Sequence, residues 1–84
     1  YPNPFNPATK IRYYLANNES VNIIIYDVMG RRVKSVINNM QNAGFRSFIW
    51  DSTDDLGQNV PGGMYIYSIE AGEYMEARKL ILLK

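Results

Sequence analysis

The stretch that decides the fold is residues 21–33, VNIIIYDVMGRRV. Its apolar run from Val21 to Tyr26 predicts a strand, and the near-continuous apolar character indicates that both faces of this strand are largely covered. Asp27 and Gly30 follow at the spacing at which an aspartate caps a type I turn and a glycine takes the left-handed position after it. We therefore expect a hairpin whose first strand is central in a sheet.

The chain on both sides of this hairpin predicts further short strands. The third strand, residues 31–37, does not keep a clean alternation, which indicates a bulge or an early exit of the strand from the sheet. Residues 38–44 are polar and turn-rich, and the long loop that ends at Gly63 repeats the aspartate-to-glycine turn spacing at Asp54 and Gly57. The predicted strands are residues 11–15, 21–26, 31–37, 45–51, 64–70 and 74–83.

Short strands without a helical period, separated by frequent turns, predict an all-β fold, an antiparallel β-sandwich of six to seven short strands. The chain has no cysteine, so no disulfide can staple the two sheets. Phe48 and Trp50 fall on one face of their strand, and we expect Trp50 to anchor the core instead.

The first residues, YPNPFNP, contain Pro2, Pro4 and Pro7. Each proline removes a backbone donor, so this segment cannot lie inside a sheet and reads as a stiff, extended lead-in. We expect residues 1–8 to be a linker and residues 9–84 to be the sandwich. Because the sequence has no initiating methionine, we also expect it to be a terminal module of a longer polypeptide.

The composition argues against several classes of function. Nine Lys and Arg against eight Asp and Glu give a net charge of +1 without a basic block, so we expect no nucleic-acid partner. With no His and no Cys, the commonest general base, the commonest zinc ligands and the thiol nucleophile are missing. We therefore expect no enzymatic activity, no cofactor, no metal and no small-molecule substrate.

Two features leave alternatives open. The carboxylates of Asp51, Asp54 and Asp55 could hold Ca²⁺ through oxygen ligands, but their spacing fits no calcium-loop pattern, which favours a strand end and a turn cap. Seven tyrosines could form a sugar-binding platform, although strand propensity and half-burial explain tyrosines in any sandwich. The short basic patch of Arg31, Arg32 and Lys34 is interpreted as a solvated edge.

Taken in order, YPNPFNP, IIIYDVMGRRV, NAGFRSFIWDSTDDLGQNVPGGMYIYSIEAGEY and ARKLILLK resemble the C-terminal sorting domain of bacterial type IX secretion, the Por secretion type. The resemblance covers essentially the whole chain. The central part, Gly30 to Glu70, is also similar to the immunoglobulin-like domain of the flagellar hook-capping protein, a related sandwich with a different role. The sequence departs from the sorting-domain pattern at Ser52, where glycine is common, and at Gly62, where serine is usual.

The resemblance implies an immunoglobulin-like sandwich that acts as a C-terminal sorting signal in the Bacteroidetes–Chlorobi group. It implies a secreted or outer cell-surface location, reached through the periplasm. The implied partners are the type IX translocon, a surface sortase in many members, and an N-terminal passenger domain. The residues that match the family motifs, and are thereby candidate recognition residues, are Pro2, Asn3, Pro4, Tyr26, Asp27, Gly30, Arg31, Val33, Gly44, Trp50, Asp51, Gly57, Gly63, Tyr65 and Lys79.

A second hypothesis belongs to another class of function. In it the domain is a non-catalytic immunoglobulin-like accessory or spacer module, which binds a sugar or a protein on behalf of a neighbouring enzyme.

Overall fold

The computed structural model describes residues 8–84, which form six antiparallel β-strands in two sheets. The predicted sandwich is thereby confirmed, with six strands. The strands are β1 (Thr9–Leu15), β2 (Glu19–Asp27), β3 (Arg32–Gln41), β4 (Gly44–Trp50), β5 (Gly63–Ala71) and β6 (Tyr74–Leu82).

The larger sheet has the order β3-β2-β5-β6, and the smaller sheet is a two-stranded ribbon of β1 and β4. In the larger sheet β2 pairs with β3 on one side and with β5 on the other, so the prediction that β2 is central is confirmed. The ribbon joins two strands distant in sequence, with Thr9 opposite Trp50 and Leu15 opposite Gly44. All pairings are antiparallel, so each sheet can have one face packed and one solvated.

The core lies between the two sheets and is built from alternating side chains of their inner faces. Trp50 is 1% exposed and its ring packs edge-on against Tyr65 of the opposite sheet, with centroids 5.1 Å apart. Phe48 makes a similar edge contact with Tyr67 at 6.0 Å. Trp50 therefore bridges the two sheets as predicted. The buried apolar residues are Leu15, Val21, Ile23, Ile25, Phe48, Trp50, Tyr65, Tyr67, Ile69, Ala71, Leu80 and Leu82.

The strand β3 differs from its prediction in length. Residues 38–41, expected to be a turn, continue the strand and pair with residues 19–22 of β2. Their polar side chains gave a turn signal, but the backbone of β2 extends far enough to pair with them, and backbone pairing does not depend on side-chain polarity. Of the two alternatives for this strand, the bulge is confirmed by register shifts between Ile23 and Ile24 and between Ile25 and Tyr26. The early exit is wrong, because β3 stays in the sheet to Gln41.

The prediction that both faces of β2 are largely covered holds for only one face. Ile23 and Ile25 point inward and are fully buried, at 0% exposure. Ile24 and Tyr26 point to the outer face and are half-buried. Among residues 8–84 there is no element that packs over this outer face, since the ribbon lies on the other side of the sheet.

The predicted lead-in, residues 1–8, lies outside the described residues except for Ala8, so its separation from the sandwich stays a prediction. The described part of the chain has no helix long and apolar enough to cross a membrane.

Candidate functional site

The turn between β2 and β3 is built around one aspartate. The Asp27 carboxylate accepts hydrogen bonds from the backbone N–H groups of Met29 and Arg31, both at 2.9 Å. The Arg31 guanidinium donates to the same carboxylate at 2.9 Å, and Gly30 closes the turn with a φ of 81°. The pKa of Asp27 is lowered, first by the backbone hydrogen bond from Arg31. The predicted turn is thus confirmed, and the Asp27 carboxylate binds donors of the turn itself.

The loop after β4 contains a second copy of this turn. Asp54 accepts from the backbone N–H groups of Leu56 and Gln58, each at 2.9 Å, at the same sequence offsets as in the first turn. Gly57 again takes a φ of 81°, as the repeated spacing predicts. The Asp54 carboxylate is therefore a turn cap.

Asp55 attaches this loop to the edge strand β3. Its carboxylate accepts from the backbone N–H of Ser35 and from the Arg32 guanidinium, both at 3.0 Å. Its own backbone N–H donates to the Val33 carbonyl, also at 3.0 Å. The hydrogen bond from the Ser35 backbone is the main reason that the pKa of Asp55 is lowered. The loop thereby occupies backbone groups of an edge strand that would otherwise be free to pair with another chain.

The start of the loop is held by a polar cluster under Trp50. The indole N–H of Trp50 donates to the Thr53 carbonyl at 2.8 Å, and the Thr53 hydroxyl donates to Asp51 at 2.5 Å. Lys34 of β3 donates to the Thr53 hydroxyl at 2.7 Å and lies 3.5 Å from the Asp51 carboxylate. The pKa of Asp51 is lowered, first by the hydrogen bond from the Thr53 side chain and further by the charge of Lys34.

Each carboxylate of the loop accepts hydrogen bonds from groups of the domain itself. Asp51, Asp54 and Asp55 each accept from a different set of donors and do not converge on one point. Over residues 8–84 there is no group of three or more metal-ligating side chains that could hold an ion. The basic patch is solvated at Arg31 and Arg32, whose side chains are 77% and 55% exposed. In addition, Arg31, Arg32 and Lys34 form ion pairs with Asp27, Asp55 and Asp51 respectively.

Among the clefts that residues 8–84 form, two lie beside the sandwich. The larger, about 530 Å³, opens between β1 and β6. Its walls include Tyr67, Tyr74 and the ion pair of Glu76 with Arg78, whose charged atoms are 2.7 Å apart. The side-chain hydrogen bond from Arg78 is the first cause of the lowered pKa of Glu76, so this carboxylate is held ionised. The larger cleft therefore presents a hydrogen-bond acceptor, the Glu76 carboxylate, beside the apolar faces of tyrosine rings.

The smaller cleft, about 430 Å³, lies at the end of the sandwich where β5 begins. It is lined by apolar side chains, among them Val28, Val60 and Met64, together with the Asp27 turn. Tyr65 donates its hydroxyl to the Pro61 carbonyl at the same end. Burial raises the pKa of Tyr65, which keeps the phenol neutral and able to donate.

The tyrosines of residues 8–84 are divided between the core, half-buried positions and the border of the larger cleft, and the sugar-binding platform stays an alternative. Tyr65 and Tyr67 are core residues, and Tyr13 and Tyr26 are half-buried on opposite sheets. The exposed ones, Tyr14 and Tyr74, both border the larger cleft, and the Tyr14 ring also lies against Phe45 on the ribbon of β1 and β4. Strand propensity and half-burial account for this distribution.

The structure places the predicted motif residues in turns, at strand ends and in the core. Pro2, Asn3 and Pro4 lie outside the described residues. Those in or beside turns and loops are Asp27, Gly30, Arg31, Asp51, Gly57 and, at the first positions of β4 and β5, Gly44 and Gly63. Those that pack against or within the core are Val33, Trp50 and Tyr65, whereas Tyr26 is half-buried and Lys79 exposed on the outer face of the larger sheet. A recognition role for any of them stays a prediction.

Several residues that hold the site together were not found from the sequence. Lys34, Ser35 and Thr53 bind the loop to β3, but each contacts residues far along the chain or inside an irregular loop, where spacing carries no signal. The exposed pair Tyr14 and Phe45 was also missed. In the sequence, each of the two is an aromatic residue at an outward position of its own strand. Nothing in the sequence indicates that these two strands, β1 and β4, pair with each other.

The family described as "FlgD Ig-like domain" matches residues 6–74. A solved structure of FlgD from P. aeruginosa matches with a TM-score of 0.72 and 27% sequence identity, covering 89% of this chain and 60% of that one. The chain thus spans less than two thirds of that protein's length. No curated protein matches at the threshold applied.

These findings correct the predicted function. The resemblance to the immunoglobulin-like domain of the hook-capping protein, read from Gly30 to Glu70, is confirmed and extends over residues 6–74. The prediction of a type IX sorting signal is wrong. The partners predicted with it are wrong as well, namely the type IX translocon, the surface sortase and the passenger domain. The alternative of an accessory module serving a neighbouring enzyme gains no support from the matches either.

The physical reason for the error lies in what the motifs do. The Asp-x-x-Gly spacing builds a turn, Trp50 fills the core, and Gly63 followed by Tyr65 starts an inward-facing strand. Related sandwiches need the same turns and the same core, so such motifs report the fold and do not separate its functions.

Proposed function

Because the chain belongs to the FlgD Ig-like domain family, we propose that it is a structural, non-catalytic module of a flagellar hook-capping protein, acting in the assembly of the flagellar hook. The observation that carries the proposal is the family match over residues 6–74 together with the shared fold of the FlgD structure. The chain corresponds to 60% of that structure, so the activity of a whole FlgD protein is extended to it only as a proposal.

The organisation of the polar groups supports a structural role. The carboxylates of Asp27, Asp51 and Asp55 are held ionised by donors of the domain itself, which fixes the turn and the loop. A catalytic acid or base needs a pKa near the working pH, and lowered carboxylate pKa values lie far from it. The groups therefore suit a rigid building block better than a reaction centre.

The proposal also bears on location. A hook is assembled outside the cell body, so we propose that this module works at the cell surface. The expectation of an extracellular location is thus kept as a proposal, without the type IX route.

The decisive experiment is deletion of residues 9–84 from the chromosomal gene of the source bacterium. We expect basal bodies without hooks in electron micrographs, and loss of swimming. Two complementing alleles make the test specific. The intact coding sequence should restore hooks, and an allele carrying an unrelated immunoglobulin-like domain of similar size at this position should not.

Normal hooks in the deletion strain would contradict the proposal. Equal restoration by the unrelated domain would show that any compact spacer suffices, and would contradict a specific part in hook assembly. Immunoblots of each strain establish that the altered protein is present, so degradation is not mistaken for loss of function.

A further inference from the structure

The outer face of the β1–β4 ribbon is an exposed surface that borders the larger cleft at Arg12 and Tyr14. Side chains alternate across a strand, so every second residue of β1 and β4 points away from the core. The register pairs these outward residues as Lys10 with Ile49, Arg12 with Ser47, and Tyr14 with Phe45. We call these six residues the ribbon face.

Large apolar side chains on the ribbon face are strongly exposed. Phe45 is 91% exposed, and Tyr14 and Ile49 are each 61% exposed. The rings of Tyr14 and Phe45 lie next to each other across the strands, with centroids 5.0 Å apart. Single exposed apolar residues are common, but Tyr14 and Phe45 are in contact, and Ile49 lies two outward positions further along β4. Adjacent exposed aromatic rings of this kind are typical of an interaction surface.

The charges of the ribbon face have one sign and no internal partner. Lys10 and Arg12 make no ion pair with any residue in 8–84, whereas each cation of the β2–β3 turn and of β3 does. The other outward positions of the ribbon carry no carboxylate. Two copies of this face would bring cations against cations, which argues against self-association through it.

We propose that the ribbon face docks an acidic, partly apolar segment of a partner protein. Outward side chains two residues apart on a strand are about 7 Å apart, so Lys10 and Arg12 suit two carboxylates at that spacing. The Tyr14–Phe45 pair, the next step along the ribbon, then receives an apolar side chain. Charge complementarity sets the orientation and the aromatic pair supplies the buried contact.

The test uses the full 84-residue chain, labelled with ¹⁵N, and one synthetic peptide as the probe. The peptide Gly-Ser-Glu-Thr-Glu-Thr-Phe-Thr-Gly presents two carboxylates and a phenyl ring at alternate positions. We expect saturable amide shifts confined to residues 10–14 and 45–49, with a Kd of about 0.1–1 mM. Binding should weaken severalfold when salt is raised from about 50 to about 300 mM.

Variants make the test specific to this face. Arg12→Glu and Phe45→Ser should each weaken binding by about fivefold or more. Ile81→Ser is the matched control for Phe45→Ser, because Ile81 is an apolar residue of β6, 55% exposed on the outer face of the other sheet. It should bind like the unaltered chain. Preserved dispersion of the amide spectrum establishes that each variant is folded.

Several results would overturn the proposal. They are an absence of shifts on the ribbon face at several times the expected Kd, equal binding of a peptide with Lys in place of Glu, or equal weakening by Ile81→Ser. Tighter binding of a single-stranded oligothymidylate or of vesicles containing phosphatidylglycerol would assign the face to a nucleic acid or a membrane instead. The purified chain is tested without flagellar proteins, so failure here leaves the proposed function standing.

Discussion

Replacing Trp50 by Phe tests the contact on which the sandwich and its long loop both depend. Trp50 is 1% exposed, packs edge-on against Tyr65 and donates its indole N–H to the buried Thr53 carbonyl at 2.8 Å. Phenylalanine keeps an aromatic ring in place but has no donor and a smaller volume. The substitution therefore removes the hydrogen bond and part of the packing without a change of fold.

The expected loss of stability follows from these two effects. Leaving the Thr53 carbonyl without a partner in a buried site costs about 1–3 kcal/mol. The volume lost between an indole and a phenyl ring is about 40 Å³, which at about 24 cal/mol per Å³ adds about 1 kcal/mol. The sum, about 2–4 kcal/mol, is a large share of the roughly 4–13 kcal/mol expected for the unfolding of a domain of this length.

Urea unfolding followed by far-ultraviolet circular dichroism measures the effect, because fluorescence loses its only tryptophan in the variant. Ile49→Ala in the same strand is the matched control. Ile49 points outward and is 61% exposed, so its truncation should cost less than about 1 kcal/mol. A loss for Trp50→Phe no larger than that for Ile49→Ala would refute the assignment of Trp50 to the centre of the core.

Three further outcomes are expected. Gly30→Val should destabilise the chain more than Gly30→Asn in the same urea assay, because the φ of 81° is far less accessible to a β-branched residue; equal losses would contradict this. Asp55→Asn should lower the thermal midpoint and speed proteolysis of the loop, since the Arg32 ion pair is lost and the Ser35 N–H is bonded less strongly; an unchanged cleavage pattern would count against the attachment of the loop to β3. The pKa values of Asp27, Asp51 and Asp55 are lowered in the folded chain, so their ionised carboxylates stabilise it. This contribution to the free energy of unfolding is fully present above the unfolded pKa of 3.8 and is lost as the pH falls through the lower folded pKa values. The urea concentration at the midpoint should therefore decrease as the pH is lowered from about 5 to about 2. A midpoint that increases on acidification would contradict this prediction.

Local features of the molecule could be predicted from the sequence because they depend on neighbours in the chain. The turn at Asp27 and Gly30 and its copy at Asp54 and Gly57 are closed by hydrogen bonds that span two to four residues. The inward phase of Trp50 likewise follows from alternation within its own strand. Function could not be predicted in the same way, because the motifs that carry these features serve any related sandwich.

The sequence by itself determined the strands, their turns and most of the side chains that face the core. Only the tertiary structure decided which strands share a sheet, since β1 pairs with β4 although the whole β2–β3 hairpin lies between them in sequence, and β2 pairs with β5 rather than with its preceding neighbour β1. It also decided that β3 runs on to Gln41 and that Asp55 binds the backbone of Ser35. These are contacts between residues distant along the chain, and they form because the paired backbones and packed faces meet in space, which no local pattern of residues encodes.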